Sequence, residues 1–100
     1  MNLDNFSQIT KVLRTEYGLD STDALIINEL MRMRGHGDVP TMTLIKNFSE
    51  ASQATTHTRV KKLIKAGWIS RVGDEENLRV RKLVPTEKAL NMVRHLGSVL

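Results

Sequence analysis

The sequence predicts a mainly α chain with a small β-hairpin, in the order α-α-β-α-α-β-β-α. Apolar residues recur at three- and four-residue spacing in separate runs, which is helical periodicity. Strict alternation is confined to a late stretch, Leu78 to Arg81. Between that stretch and "WISRV" lies "GDEEN", a polar turn that lets two short extended pieces pair.

Each element has its own local reason. Leu3, Phe6, Ile9, Val12 and Leu13 form one apolar stripe on a helix that ends near Tyr17 and Gly18. Asp20 or Ser21 then caps a second helix carrying Leu25, Ile26, Leu30 and Met33. "RGHGDVP" stops it, and Val39 to Thr41 reads as a brief extended piece. Leu44, Ile45 and Phe48 mark a short third helix, and Ser49 to Ser52 a turn. The fourth helix, 52–66, has Ser52 as its N-cap and a buried stripe of Thr56, Val60, Leu63 and Ile64 running to Gly67. A left-handed Gly67 would turn the chain straight into the hairpin 68–84. Leu83 and Val84 interrupt the alternation, so a bulge or strong twist is expected there. A final helix begins at Thr86.

Composition narrows the classes. One hundred residues predict one domain, 1–100, burying roughly 60 to 70% of the surface its unfolded chain exposes. Residues 1–50 carry five Lys/Arg against seven Asp/Glu, and residues 51–100 carry ten against four. A basic second half points to a polyanionic partner, most often nucleic acid. The absence of cysteine excludes thiol redox chemistry and Cys-ligated zinc. No apolar run is long enough for a membrane span and no signal-peptide pattern opens the chain, so a cytoplasmic protein without a membrane partner is expected.

The charged and hydroxyl side chains fall in a pattern. The outer face of the fourth helix presents Thr55, Thr58, Lys62 and Lys65, flanked by Arg59 and Lys61, with Ser52 and Gln53 at its leading end. A short helix, a tight turn and a second helix of this kind form a helix-turn-helix, whose second helix enters the major groove N-terminus first. Arg reads guanine, Gln reads adenine, Thr offers a hydroxyl and a methyl, and Lys neutralises phosphate. The hairpin behind it is a wing. Alternation sets Arg79 and Arg81 on one face and Leu78 and Val80 on the other, and arginines on a hairpin suit a narrow minor groove. The expected DNA-binding residues are Ser52, Gln53, Thr55, Thr58, Arg59, Lys62, Arg71, Arg79 and Arg81.

The joint spacing of Val60, Leu63, Gly67, Ile69 and Arg71 in "RVKKLIKAGWISR", with Arg79, Leu83 and Thr86 in "NLRVRKLVPTEKA", resembles the MarR-type winged helix-turn-helix regulators. This chain has Asn77 where that family usually has Asp before the wing arginine, and Ala89 where it often has Gly. The resemblance implies a homodimer built from the terminal helices, about 3–17 and 86–98, on a roughly palindromic duplex. Leu3, Phe6, Ile9 and Leu13, with Leu90, Val93 and Leu96, are the expected dimer interface. The family leaves room for a small-molecule effector, but no residue pattern supports one.

Other chemistry finds little footing. His36, His57 and His95 lack metal-ligand spacing, and Asp74, Glu75 and Glu76 diverge as neighbours in a turn. Met31 and Met33 read as core filling. No nucleophile elbow or phosphate loop occurs, so neither an enzyme nor a cofactor is expected. The expectation is a sequence-specific regulator of double-stranded DNA, most simply a dimeric repressor. The alternatives are a winged-helix protein-interaction module and a nonspecific architectural DNA-binding protein.

Overall fold

The computed structural model describes the backbone of residues 3–74 and 77–99, and the side chains of residues 7–73 and 81–97. Among the described residues, five helices and one hairpin follow in order. They are α1 (Leu3–Val12), which continues as a π-helical turn (Leu13–Tyr17), α2 (Ser21–Arg34), α3 (Thr41–Asn47), α4 (Gln53–Lys65), β1 (Ile69–Asp74), β2 (Asn77–Pro85) and α5 (Glu87–Val99). The expected order holds. Its first β element is reduced to a single bridge between Pro40 and Lys82, supported by the Leu83 amide donating to the Val39 carbonyl at 2.8 Å.

The helix ends explain themselves. Gly18, at φ 67°, closes the π-helical turn by donating to the Arg14 carbonyl, a left-handed exit that glycine adopts without steric cost. Asp20 caps α2 in a reciprocal box: its Oδ1 accepts from the Asp23 amide at 2.9 Å, and Asp23 Oδ2 accepts from the Asp20 amide. Thr86 opens α5, its hydroxyl oxygen accepting from the Ala89 amide.

The core collects Ile26, Ile27, Leu30, Leu44, Val60, Leu63, Trp68, Ile69 and Leu83, with Met31 and Met33 packed at its margin. Burying each of the larger aliphatic side chains stabilises the fold by about 1.5–3 kcal/mol. The stripe on α2 differs from the expected one. Positions 23, 26, 27 and 30 face inward, and Leu25 is 45% exposed. The inward phase runs through Asp23, so a count of apolar residues alone selects the wrong set.

Two anchors hold the hairpin. At its base, Lys82 Nζ meets Asp38 at 2.8 Å, and the Thr41 hydroxyl donates to the Arg81 carbonyl at 3.3 Å. At its entry, buried Trp68 packs T-shaped with Tyr17, ring centroids 5.8 Å apart, and Lys88 Nζ lies 4.1 Å from the centre of the Trp68 ring. One indole thereby joins the end of α1, the start of β1 and the start of α5.

The expected irregularity at Leu83 and Val84 is absent. Pairing runs unbroken from Ile69 opposite Pro85 to Gly73 opposite Arg81, and the register shifts instead between Gly73 and Asp74. Alternation never breaks in this segment. Arg81 and Leu83 share one face while Lys82 and Val84 share the other, and the inward row changes from apolar to cationic as the strands leave the core.

Candidate nucleic-acid interface

Helix α4 sits on the core through Thr56, Val60 and Leu63. Thr56 is buried without penalty because its hydroxyl donates to the Ser52 carbonyl at 2.9 Å. That seating turns Gln53, Thr55, Thr58, Lys61, Lys62 and Lys65 to solvent. Ser52 is the N-cap, its Oγ accepting from the Thr55 amide at 3.1 Å and its hydroxyl meeting Thr55 Oγ1 at 3.0 Å. Thr55, having accepted, retains its own hydrogen to give outward. Thr58 donates to the Ala54 carbonyl at 3.1 Å, which leaves its lone pairs and methyl outward. His57 is exposed on the same helix.

Arg59 departs from its expected role. Its guanidinium is not free on the outer face. Nη1 contacts Asp20 Oδ2 and lies 3.2 Å from Asp23 Oδ1, and the side chain keeps 30% of its exposure. Asp23 is 1% exposed, and a carboxylate in that position requires a cation beside it. Burial raises the Asp20 pKa, but the Arg59 hydrogen bond, the Asp23 amide and the nearby Arg59 and Lys62 charges outweigh it, so the net direction is downward. Arg59 is raised by its hydrogen bonds to Asp20 and then Asp23.

The hairpin supplies the second cationic edge. Ile69, Arg71 and Gly73 on β1 share a face with Pro85, Leu83 and Arg81 on β2. The inner members, Ile69 and Leu83, are buried, while Arg71 is exposed and Arg81 half-buried. Gly73 makes room for Arg81, since a Cβ there would lie 3.2 Å from Arg81 Cγ. The side chains of Asn77, Leu78, Arg79 and Val80 lie outside the described residues.

A different surface lies between the terminal helices and α2. An apolar groove of about 510 Å³ is lined by Ile9, Leu13, Leu25, Met92, Val93 and Leu96, among others. Val93 and Leu90 project from α5, with Val93 42% exposed, and Leu96 is half-buried. Leu13 is corrected from the expected interface set: at 3% exposure it belongs to the chain's own core and forms the groove floor. Its phase on the π-helical turn aims it inward. The side chains of Leu3 and Phe6 lie outside the described residues.

Sequence reasoning missed Asp23 and assigned Asp20 a capping role alone. A signal existed: an acidic residue in phase with Ile26, Ile27 and Leu30 must find a cation, and Arg59 was available.

A cationic hairpin set behind an exposed helix, both on one helical core, defines a winged-helix protein. The chain belongs to the ArnR1-like winged-helix domain family, which matches residues 8–100. Its fold is similar to that of solved MarR-type regulators. A MarR-like transcription regulator from Bacillus cereus superimposes with a TM-score of 0.66 at 16% identity, covering 96% of this chain and 68% of that one. A mutant MarR from E. coli complexed with operator DNA gives 0.66 at 12% identity, covering 97% and 66%. A MarR protein from Peptoclostridium difficile gives 0.63 at 25% identity, covering 96% and 59%. The chain therefore spans about two thirds of the length of the first regulators it matches. No curated protein matches the sequence. Among the described residues, no helix is long and apolar enough to cross a membrane.

Proposed function

We propose that this chain is a sequence-specific double-stranded DNA-binding regulator that acts as a homodimer in the cytoplasm, most simply by occupying an operator and excluding polymerase. The observation that carries this reading is the outward face of α4, where Gln53, Thr55, Thr58 and Lys62 stand exposed while Thr56, Val60 and Leu63 anchor the same helix in the core. Amide, hydroxyl and ammonium groups on a rigid helix are the donors that base edges and phosphates accept. Ser52 and Gln53 lead the helix into the major groove, and Arg71, Arg79 and Arg81 bring the wing to the minor groove. The complex of the similar E. coli regulator with operator DNA supports the class of partner.

Dimerisation is supported by apolar side chains that the terminal helices leave wholly or partly uncovered. Ile9, Val93 and Leu96 along the groove, with Leu90 on the same helix as Val93, would be covered by two-fold pairing, and Leu3 and Phe6, whose side chains lie outside the described residues, are assigned to the same interface. Pairing would set two copies of α4 about one DNA turn apart, roughly 34 Å, so that each reads a half-site.

Selection of bound duplexes from a random pool tests the reading. Enrichment of a palindromic motif is the expected result; recovery of duplexes with no common motif would reduce the function to nonspecific binding, and no recovery would remove DNA as the partner.

A further inference from the structure

Asp20 and Asp23 each divide their two carboxylate oxygens between the same pair of tasks. One oxygen of each closes the capping box at the start of α2: Asp20 Oδ1 takes the Asp23 amide and Asp23 Oδ2 takes the Asp20 amide. The other oxygen of each, Asp20 Oδ2 and Asp23 Oδ1, accepts from Arg59 Nη1. A single guanidinium nitrogen from the middle of α4 thus completes a motif that starts another helix, 36 residues away from Asp23. Asp23 is buried, so its outward oxygen has no water to replace Arg59. One turn before and one turn after Arg59 on α4, Thr56 and Leu63 are fully buried, so the ion pair acts beside a packed contact that it can lock in rotation.

We propose that Arg59 is a positioning residue, clamping α4 to the start of α2, and that the exposed side chains of α4 read DNA at an angle this clamp sets. The inference rests on the DNA-binding reading above and deepens it. Arg59 itself makes no base contact. Rotation of α4 about its axis would move Gln53, Thr55, Thr58 and Lys62 together, so loss of the clamp removes discrimination between sequences before it removes affinity for DNA as such.

The test compares the native chain with Arg59→Met, with Asp20→Asn/Asp23→Asn, and with all three changes combined. Asn can still accept the capping amides, so the start of α2 is retained while the charge clamp is lost. Two quantities are measured. The first is amide hydrogen exchange across 53–65 in the free protein, expected to accelerate about tenfold or more in both the Arg and the Asp variants. The second is the ratio of affinities for the best duplex from the random pool and for a scrambled duplex of the same length, in which changes of overall charge cancel. That ratio is expected to fall about tenfold in both variants and no further in the combined one, since the groups act as one unit. A ratio lowered by Arg59→Met but untouched by the Asp pair would make Arg59 a direct reader and overturn the proposal. Unchanged exchange in both variants would overturn it as well. If the native chain bound no duplex, the DNA reading would fail by itself and the exchange measurement would still decide the clamp.

Discussion

The hydroxyl of Thr86 lies 2.7 Å from the carbonyl of Gly67, joining the residue that opens α5 to the turn that closes α4. The same hydroxyl is 3.1 Å from the Trp68 carbonyl and accepts from the Ala89 amide, so one side chain serves both a helix start and a helix exit. Thr86→Val keeps the shape and removes every one of these bonds. It is expected to lower stability by about 1–2 kcal/mol, seen as a lower urea midpoint with an unchanged slope.

Gly67 itself has φ +85° and no atom within 4 Å of where a Cβ would stand. Gly67→Ala therefore meets a backbone penalty without a clash, about 1–2 kcal/mol. Asn tolerates this region better, so Gly67→Asn is expected to cost less than Gly67→Ala. Equal losses in a denaturation series would place the cause outside the backbone conformation.

On the wing, Arg71 and Arg81 extend outward the row begun by Ile69 and Leu83. Replacing both with Ala is expected to weaken binding to all duplexes alike and to flatten log affinity against log salt by about one to two units. A slope that does not move would take this edge of the wing off the DNA.

Ile9 and Val93 both line the apolar groove, one from α1 and the other from α5. Ile9→Glu combined with Val93→Glu is expected to give a folded monomer by sedimentation, with operator affinity reduced at least a hundredfold because two half-sites are no longer engaged together. Val93 is exposed and Ile9 only half-buried, so folding should survive. A native chain that sediments as a monomer at tens of micromolar, yet binds an isolated half-site at full affinity, would contradict the paired arrangement.

Asp20 gives a pH prediction. Its folded pKa is depressed, so the stability it contributes is present above the unfolded value, about 4, and is lost as pH falls through the lower folded value. Asp20→Asn removes that contribution. The stability difference between the native chain and the variant should be constant from pH 5 to 7 and shrink toward zero on acidification below about 4. A difference that persists at pH 2 would point to hydrogen-bond geometry rather than charge.

The helices were legible wherever apolar periodicity was uninterrupted, as in Val60 and Leu63 of α4, and wherever punctuation was strong, as at Gly18, Gly67 and Thr86. The phase of α2 was not, because Asp23 occupies an inward position and its partner Arg59 lies in a different helix. The wing's facing was hidden for a related reason: one strand row contains both Leu83 and Arg81, and only the tertiary position of the core separates them. Arg59 looked like a reader because sequence shows a residue's charge but not the charge that answers it. Leu13 looked like an interface residue because stripe membership does not distinguish a floor from a rim.

The π-helical turn at Leu13–Tyr17 holds one residue more than an ordinary turn would. An α-helix advances about 100° per residue, and the wider turn absorbs its extra residue without adding that rotation. Deleting one of the exposed residues 14–16 would therefore return the segment to ordinary winding and leave Ile9 facing the groove and Tyr17 against Trp68. The same deletion made between Ile9 and Leu13, where the winding is already ordinary, would swing everything before it by roughly 100° and carry Ile9 off the groove. The turn is a slack link: it can give up a residue that the helix before it cannot spare.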